Sequence, residues 1–278
     1  MHEAERGDTV RRIARDGDPD RTLAVLFGPR EACADLFALI AFNVELARIA
    51  EQVSEPALGA IRLQWWREAV ERAAKGEATD HPVADALGAA IKRRELSRER
   101  VEALIEARGF DVETRIMPDW AGLEAYLAAT AGGLFALGAQ CLGSHEQSLD
   151  RAAASAGVAY GLTGLMRALP VHAASGRVYL PADALKRHGT SPEALLAGKS
   201  SAGLNTVLAE LRGRAREAFV EARRHIAPLD PGARAAFRPL SLVDPYLAAL
   251  EKEGRDPLRD IAAINPLYRF WRVARWRE

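Results

Sequence analysis

Residues 157–181 read GVAYGLTGLMRALPVHAASGRVYLP, a stretch that predicts a long helix, a tight turn and a short extended exit. No Asp or Glu occurs from Arg151 to Ala182, although the 278-residue chain carries 38 acidic residues. The stretch instead carries two arginines, two tyrosines and a histidine: Arg167, Arg177, Tyr160, Tyr179 and His172. A divalent metal ion would find no carboxylate ligand along this segment.

The composition around this stretch predicts an all-α protein. With 278 residues, 49% of them hydrophobic, the chain is long enough to bury a full core. Ala and Leu dominate, and helix formers outnumber strand formers in almost every window. We predict a polar N-terminal arm at residues 1–19 and a single helical domain at residues 20–278.

Charge and targeting patterns favour a soluble protein without a nucleic-acid partner. The formal net charge is zero, so no bulk field attracts nucleic acid. The N-terminus has no apolar segment typical of a secretory signal. The sequence also contains no run of about 18 apolar residues, so it predicts no membrane span. Cys33 and Cys141 lie far apart and read as free thiols of a reducing compartment. The simplest localisation is cytoplasmic, with peripheral contact at the inner membrane left open.

Periodicity and helix punctuation predict the elements in order. Prolines, glycines and N-cap residues divide the chain into helices at 20–28, 30–53, 56–75, 81–94, 97–112, 119–142, 146–169, 182–188, 205–226, 231–252 and 266–276. Glycines inside two of these helices indicate that the helices line either each other or a ligand: Gly132, Gly133, Gly157, Gly161 and Gly164.

Two helices carry apolar faces that need a partner. In the helix at 56–75, Leu58, Ile61, Trp65 and Ala69 form one apolar stripe. Trp65 and Trp66 point about 100° apart, so one can belong to the core while the other faces a neighbouring helix or a cavity. The closing segment PLYRFWRVARW, at 266–276, predicts a terminal helix docked on the core with a basic outer edge, in preference to a membrane or partner anchor.

The order of motifs resembles the squalene/phytoene synthase family. The matching stretches are ALIAFNVELARIAE (38–51), RLQWWREAVERAAKG (62–76), HPV (81–83), YLAATAGGLFALG (126–138), GVAYGLTGLMR (157–167) and GRVYLP (176–181). Active members of that family join prenyl diphosphates head to head on an isoprenoid-synthase fold. The resemblance therefore implies a single-domain helical bundle around a central cavity.

This chain departs from the family at both Asp-rich motifs, which in active members hold Mg²⁺ against the diphosphate. The first motif reads Ala47, Arg48 and, as its last acid, Glu51; the second reads Arg167, Ala168 and His172, where the family would have acids at the last two positions. Mg²⁺ needs carboxylates beside the phosphate oxygens. We therefore expect no catalytic residue, no metal ligand and no cofactor.

The sequence AFNVELARI, followed by VSEPALGAIRLQWWR, resembles the branch of the family that includes the mitochondrial complex I assembly factor. In that branch the metal-binding motifs have likewise lost acidic residues. The resemblance implies a non-catalytic pseudoenzyme that binds or assembles, with a respiratory complex as partner and an isoprenoid or lipid as ligand. The candidate cavity or anion-binding residues are Asn43, Glu45, Tyr160, Gly161, Thr163, Arg167, Arg177 and Tyr179.

Two alternatives stay open from the sequence. The first is an active prenyltransferase whose Mg²⁺ ligands have moved, for instance to Glu45, Glu51 and Asp183. Glu45 and Glu51 are about 240° apart around the helix axis, so they do not converge on one ion. The second alternative is a structural helical protein whose cavity has collapsed between the helices at 38–53 and 157–170.

Overall fold

A computed structural model describes residues 3–53, 55–113, 116–146 and 148–276. The helices are α1 (Glu3–Gly17), α2 (Pro19–Val25), α3 (Cys33–Gln52), α4 (Pro56–Ala74), α5 (Pro82–Arg94), α6 (Arg98–Ala107), α7 (Gly109–Glu113), α8 (Trp120–Leu127), α9 (Gly133–Cys141), α10 (Leu149–Ala174), α11 (Ala182–Arg187), α12 (Pro192–Leu196), α13 (Ala202–Ile226), α14 (Pro231–Ala235), α15 (Val243–Leu250) and α16 (Pro266–Ala274). A π-helical turn at Ala128–Gly132 joins α8 to α9, and 3₁₀ turns occupy Arg30–Ala32 and Arg238–Leu242.

The all-α prediction is confirmed. Within the described ranges, the one β-type contact outside the helices is an isolated parallel bridge between Ile116 and Val178. Side-chain caps fix several helix starts: Ser97 accepts a hydrogen bond from the backbone N–H of Arg100, and Asp119 accepts one from Gly122. Both Cys33 and Cys141 are free thiols.

Several helix boundaries differ from the prediction. The segment predicted at 97–112 breaks between α6 and α7, and the one at 231–252 divides into α14, a 3₁₀ turn and α15. The predicted end of α10 at Leu169 is wrong, because α10 continues through Pro170 to Ala174. Pro170 removes one backbone hydrogen-bond donor from the helix. Leu169 and Ala173, on either side of it, are buried, and this packing stabilises the helix beyond the proline. Gly176 (φ +76°) then supplies the left-handed turn that leads out of the helix.

The bundle has two main hydrophobic cores. One is built around α10 and α13, with Leu162, Met166 and Phe219 among its buried members. The other is built around α3, α4 and α5 and includes Phe42 and Trp66. The rod formed by α8, the π turn and α9 contributes to both cores, because Phe135 belongs to the first and Leu134 to the second.

The N-terminal segment packs onto this bundle. In α1, Val10 and Ala14 are buried in the core that contains α3, and a Cβ built on Gly17 would lie 2.3 Å from a Val44 methyl group. Residues 3–17 are thus held against the domain that the sequence places at 20–278, and the boundary at residue 19 stays a prediction.

The rod Trp120–Cys141 is, among the described residues, the one helix long and apolar enough to cross a membrane. About 61% of its apolar window is buried inside the bundle. A buried core helix of a soluble protein can have this same length and composition, so these features alone do not distinguish it from a membrane span.

The glycine-bearing helices line each other at Gly157 of α10 and Gly132 of the π turn. A Cβ built on Gly157 would lie 2.6 Å from the backbone nitrogen of Gly132. A Cβ on Gly161 would lie 2.4 Å from a Leu127 methyl group. At these two positions glycine serves close helix packing, so Gly161 borders a neighbouring helix and not a ligand space.

Gly157→Ala is expected to lower the free energy of unfolding by about 1 to 3 kcal/mol, because the added methyl group meets backbone that cannot move aside. Gly164→Ala is the matched control, since nothing lies within 4 Å of a Cβ built there. Replacing an unconstrained helical glycine should raise the free energy of unfolding by about 0.5 to 1 kcal/mol. Urea denaturation measures both, and two variants shifted in the same direction would contradict the packing argument.

Most of the apolar stripe predicted on α4 faces solvent, and only its Ala69 is buried. Trp66, with Phe42 against its ring, is the buried tryptophan, whereas Trp65 is half-exposed and Leu58 and Ile61 are exposed. The buried face of α4 runs instead through Gly59, Leu63, Trp66, Ala69 and Val70. Small Gly59 allows close packing against Val112, which turns the larger aliphatic side chains outward.

The terminal helix α16 also differs from its prediction. Its large apolar side chains are exposed, and two of its arginines point into the protein. Val273 is the fully buried side chain of this helix. The predicted orientation, with an apolar face on the core and a basic edge outside, is therefore wrong. The reason is that buried acceptors, Asp20 and the carbonyl of Ser241, hold the arginines inward.

Candidate functional site

The end of α3, where the first motif lies, presents no carboxylate cluster. Ala47 and Arg48 are half-buried, Arg48 forms an ion pair with Glu45 at 3.7 Å, and Glu51 is exposed. Asp183, on α11, is exposed and accepts a hydrogen bond from the backbone N–H of Ala184. Across the described ranges, no group of three His, Cys, Asp or Glu residues could hold a metal ion. The residues present therefore do not fit a Mg²⁺–diphosphate site of the kind that the family resemblance describes.

The second motif lies on the half-buried side of α10. Ala168 places a methyl group where the resemblance implies an acid, and the ring of His172 lies 4.6 Å from the ring of Tyr179. Burial lowers the pKa of His172 to about 4, and the nearby Arg177 and Arg108 act in the same direction. The imidazole is therefore neutral at pH 7 and packs as an aromatic ring.

A pH dependence of stability follows from His172. The folded-state pKa lies below the unfolded value of about 6.5, so the unfolded chain binds the proton first as the pH falls. Between pH 7 and pH 5 this group should lower the free energy of unfolding by about 2 kcal/mol. Urea denaturation at pH 7 and at pH 5 measures the drop in the free energy of unfolding between the two pH values. We expect this drop to be about 2 kcal/mol smaller in His172→Gln than in the unaltered chain. An unchanged difference would place the imidazole in contact with water.

Beside His172 lies the first polar cluster, which we call the Asp111 network. Arg108 donates from Nη1 to Asp111 Oδ2 at 2.9 Å and from Nη2 to Asn43 Oδ1 at 2.8 Å. The hydroxyl of Tyr179 donates to Asp111 Oδ1 at 2.7 Å, and that of Tyr126 donates to Oδ2 at 3.2 Å. Burial raises the pKa of both tyrosines well above the usual value. Both phenols therefore stay protonated and serve as donors.

The Asp111 network gives two candidate residues a structural partner. Asn43, on α3, accepts from Arg108, and Tyr179, in the exit after α10, is bound to Asp111. The network thereby joins α3, α7, α8 and the exit segment across the space between the two motif helices. Its side chains are polar but already paired with one another.

Arg177 connects the exit segment to α3. Its guanidinium is buried and donates to the backbone carbonyl of Ala50, in the last turn of α3. Its Nε is buried and has no hydrogen-bond partner within the described part of the chain. Arg177 thus acts first as a cap on a helix C-terminus, while an anion-binding role stays a prediction.

A second polar cluster, which we call the Asp20 cluster, lies on another side of α10. Tyr246 donates to the Asp20 carboxylate at 2.9 Å, and Arg167 and Arg269 each approach it at 3.3 Å. The Arg167 guanidinium also lies 3.4 Å from the centre of the Tyr246 ring. Burial, together with the Asp20 charge, raises the pKa of Tyr246 to about 12. Arg167, predicted to bind an external anion, is therefore already paired with an internal one.

Tyr160 packs against a neighbouring ion pair. Arg21 donates to Asp18 at 2.8 Å, and its guanidinium lies 4.4 Å from the centre of the Tyr160 ring and 5.5 Å from that of Phe135. Burial raises the pKa of Tyr160 well above its usual value. Thr163 is buried and donates to the carbonyl of Ala159 at 2.7 Å, so its hydroxyl is satisfied within the helix.

A cavity of about 230 Å³ lies between these groups. It is lined by the segment 17–21, by α10 and by α15, including Asp18, Asp20, Tyr160, Gly164, Arg167 and Tyr246. Its lining residues include none from α3, where the first motif lies. The structure therefore brings Tyr160, Thr163 and Arg167 together at one cavity and places Asn43 and Tyr179 in the Asp111 network. Arg177 lies in neither group and caps the end of α3. Glu45 belongs to neither group.

Sequence reasoning missed the acids that organise both clusters. Arg108 and Asp111 are three residues apart, which is the spacing of a helical ion pair and was available from the sequence. Asp20 is more than 200 residues from both Tyr246 and Arg269 along the chain, and no local pattern connects it to them.

The comparisons with known proteins decide the family. A model of the family "Squalene/phytoene synthase" matches residues 14–274. The chain belongs to the squalene/phytoene synthase family. The predicted family and the all-α isoprenoid-synthase fold are thereby confirmed. Two solved structures share the fold of this squalene/phytoene synthase family member. Squalene synthase HpnC from Alicyclobacillus acidocaldarius superposes with a TM-score of 0.78 and 24% sequence identity, over 90% of this chain and 94% of that chain. A dehydrosqualene synthase in complex with ligand superposes with a TM-score of 0.81 and 18% identity, over 98% of this chain and 94% of that chain.

The chain is also similar to curated proteins named "NADH dehydrogenase (ubiquinone) complex I, assembly factor 6". The Homo sapiens protein is 28% identical over 96% of this chain and 80% of the relative, and the Mus musculus protein is 30% identical over 86% and 72%. A phytoene synthase from Thermus thermophilus is 29% identical over 87% of this chain and 79% of the relative. The resemblance to the assembly-factor branch is thus confirmed beside the resemblance to synthases.

Proposed function

We propose that this chain is a non-catalytic member of the squalene/phytoene synthase family that acts in the assembly of a respiratory NADH dehydrogenase complex. The observation that carries the non-catalytic part is the side-chain set of the two motif helices. Ala47, Arg48, Ala168 and His172 offer no carboxylate to Mg²⁺, which prefers oxygen ligands, and Glu51 faces solvent. Without a metal ion to neutralise pyrophosphate, the largest electrostatic contribution to prenyl transfer is missing.

The Asp20 cluster supports the same conclusion. An allylic diphosphate needs cationic and hydroxyl donors around its oxygens. Arg167, Arg269 and Tyr246 are such donors, but the Asp20 carboxylate holds all three. The cavity beside them, at about 230 Å³, is also smaller than the roughly 300 to 1,000 Å³ of ordinary ligand pockets. We therefore do not place an isoprenoid or lipid in this cavity.

The assembly part rests on the relatives. The curated relatives named as complex I assembly factor 6 align with 86% to 96% of this chain. Fold similarity to synthases alone is a weak guide to activity, because one fold carries many functions. Solvent-exposed apolar side chains on α4 supply surface for a protein partner.

The first experiment tests catalysis. We expect purified protein incubated with farnesyl or geranylgeranyl diphosphate and Mg²⁺ to release no pyrophosphate and to form no head-to-head product. Rapid turnover would overturn the non-catalytic assignment, and Glu45→Ala and Glu51→Ala variants would then show whether these acids hold the metal.

The second experiment tests assembly. Deleting the gene in its source cell should lower the amount of assembled NADH dehydrogenase complex on native gels, with normal levels of prenyl products. Complementation with Glu51→Ala should restore the complex as well as the unaltered chain does. If Glu51→Ala fails while its folding is intact, the alternative with relocated metal ligands gains support.

A further inference from the structure

The terminal helix α16 presents four large apolar side chains to solvent on one face. Leu267 is 80% exposed, Phe270 52%, Trp271 48% and Tyr268 44%. Counted from Leu267, they occupy positions i, i+1, i+3 and i+4, which lie on the same side of a helix. Leu26 is exposed at the end of α2, and its neighbour Phe27 has its ring 5.4 Å from that of Phe270. We call this surface the α16 face.

The α16 face is fixed outward by contacts on the opposite side of the helix. Arg269 pairs with Asp20, Arg272 donates to the carbonyl of Ser241 at 3.1 Å, and Val273 is fully buried. Asn265 caps the start of the helix by accepting from Leu267 and Tyr268, and Pro266 occupies the first turn. A rotation that buried the aromatic side chains would break these contacts and expose Val273. The exposed aromatic surface is therefore part of the folded state.

Cations border the α16 face on one side. The sequence from Ile261 to Trp276 contains no acidic residue. The Arg275 guanidinium lies 5.3 Å from the centre of the Trp271 ring. A groove of about 380 Å³ beside this pair is lined by Arg223, Arg272, Arg275, Trp271 and Trp276, with Asp244 as its one acid. The indole Nε1 of Trp276 is buried and lacks a hydrogen-bond partner within the described part of the chain.

We propose that the α16 face lies in the surface of an anionic lipid bilayer, with the neighbouring groove binding a lipid phosphate. Trp, Tyr, Phe and Leu on one side of a short surface helix are the side chains that enter the boundary between headgroups and acyl chains. Arginines at its edge stay in the headgroup layer and attract anionic lipids. The charge of the groove, three arginines against one aspartate, is complementary to a phosphate.

The test uses the full chain and vesicles of phosphatidylcholine with or without phosphatidylglycerol. We expect the protein to sediment with vesicles that contain phosphatidylglycerol, and added salt should weaken binding. The double variant Leu267→Ser/Trp271→Ser should lower the apparent affinity at least about tenfold. Leu58→Ser/Ile61→Ser on α4 is the control, since it removes two other exposed apolar side chains, and it should bind within about twofold of the unaltered chain.

Arg275→Glu separates the phosphate contribution from the apolar one. This variant should lose most of the preference for phosphatidylglycerol while circular dichroism shows an unchanged helix content. Failure of the unaltered chain to bind anionic vesicles would overturn the proposal, as would an equal loss with the α4 control. A concentration-dependent dimer that Leu267→Ser/Trp271→Ser dissociates would instead assign the α16 face to a second copy of the chain. None of these outcomes depends on whether the protein assembles a respiratory complex.

Discussion

Asp111→Ala is expected to lower the free energy of unfolding by about 3 to 5 kcal/mol, the largest effect among the substitutions considered. The carboxylate is 4% exposed and is the common acceptor for Arg108, Tyr126 and Tyr179. Its removal leaves a guanidinium that is 12% exposed without its charge partner, and two buried hydroxyls without their acceptor. Because the network joins four segments, the loss affects both sides of the bundle.

Urea denaturation followed by circular dichroism measures this change. Glu113→Ala is the matched control, because Glu113 is an exposed acid on the same short helix and should change the free energy of unfolding by less than about 0.5 kcal/mol. Tyr179→Phe removes one donor and should cost about 1 kcal/mol, which keeps the argument testable if Asp111→Ala does not fold. A loss below 1 kcal/mol for Asp111→Ala would mean that Arg108 reaches water.

Asp20→Ala should lower the free energy of unfolding by about 2 to 3 kcal/mol, a smaller loss than at Asp111. Two arginines lose their counter-charge, but their side chains are 27% and 30% exposed and water screens part of the cost. Tyr246 also loses the acceptor that satisfies its buried hydroxyl. Asp16→Ala, which removes an exposed acid on α1, is the control and should have almost no effect.

The same variant tests whether Asp20 occupies an anion position. Without the carboxylate, Arg167, Arg269 and Tyr246 become free to bind another anion at the cavity. Inorganic pyrophosphate should then raise the melting temperature of Asp20→Ala and leave the unaltered chain unchanged, because only the variant has an open site. Equal stabilisation of both proteins would show that pyrophosphate binds elsewhere.

Local patterns were enough to predict most of the helices. Prolines at helix starts and side-chain caps act within a few residues, so they fixed elements such as α4, α5 and α11 to within one or two residues. The end of α10 was not predictable in this way, because burial of Leu169 and Ala173 overrides the local effect of Pro170. The two exposed apolar stripes, on α4 and α16, show the same limit, since the partners that decide which face is buried lie far away in sequence.

The candidate site was predictable in part. The family motifs located α3, α10 and the exit segment, and five of the eight candidate residues lie at one of the two polar clusters or the cavity: Asn43, Tyr160, Thr163, Arg167 and Tyr179. The acids that neutralise these groups were missed. Asp20 and Asp111 act through tertiary contacts with no sequence period, so only the folded chain places them opposite Arg167 and Tyr179.

The π turn at Ala128–Gly132 ties the two ends of one rod to different neighbours. It lies between Tyr126, which faces Asp111, and Phe135, which packs against Tyr160. A π turn contains one residue more than the regular helix would need, so deleting a single residue there would restore uniform α-helical hydrogen bonding. Because the wider turn absorbs that extra residue, this deletion would leave the two ends of the rod at about the same relative rotation, whereas a one-residue deletion in α8 or α9 would rotate one end by about 100°. Chain length is therefore under tighter constraint in α8 and α9 than at the π turn, and related sequences that share both aromatic anchors should place any single-residue gap at this turn.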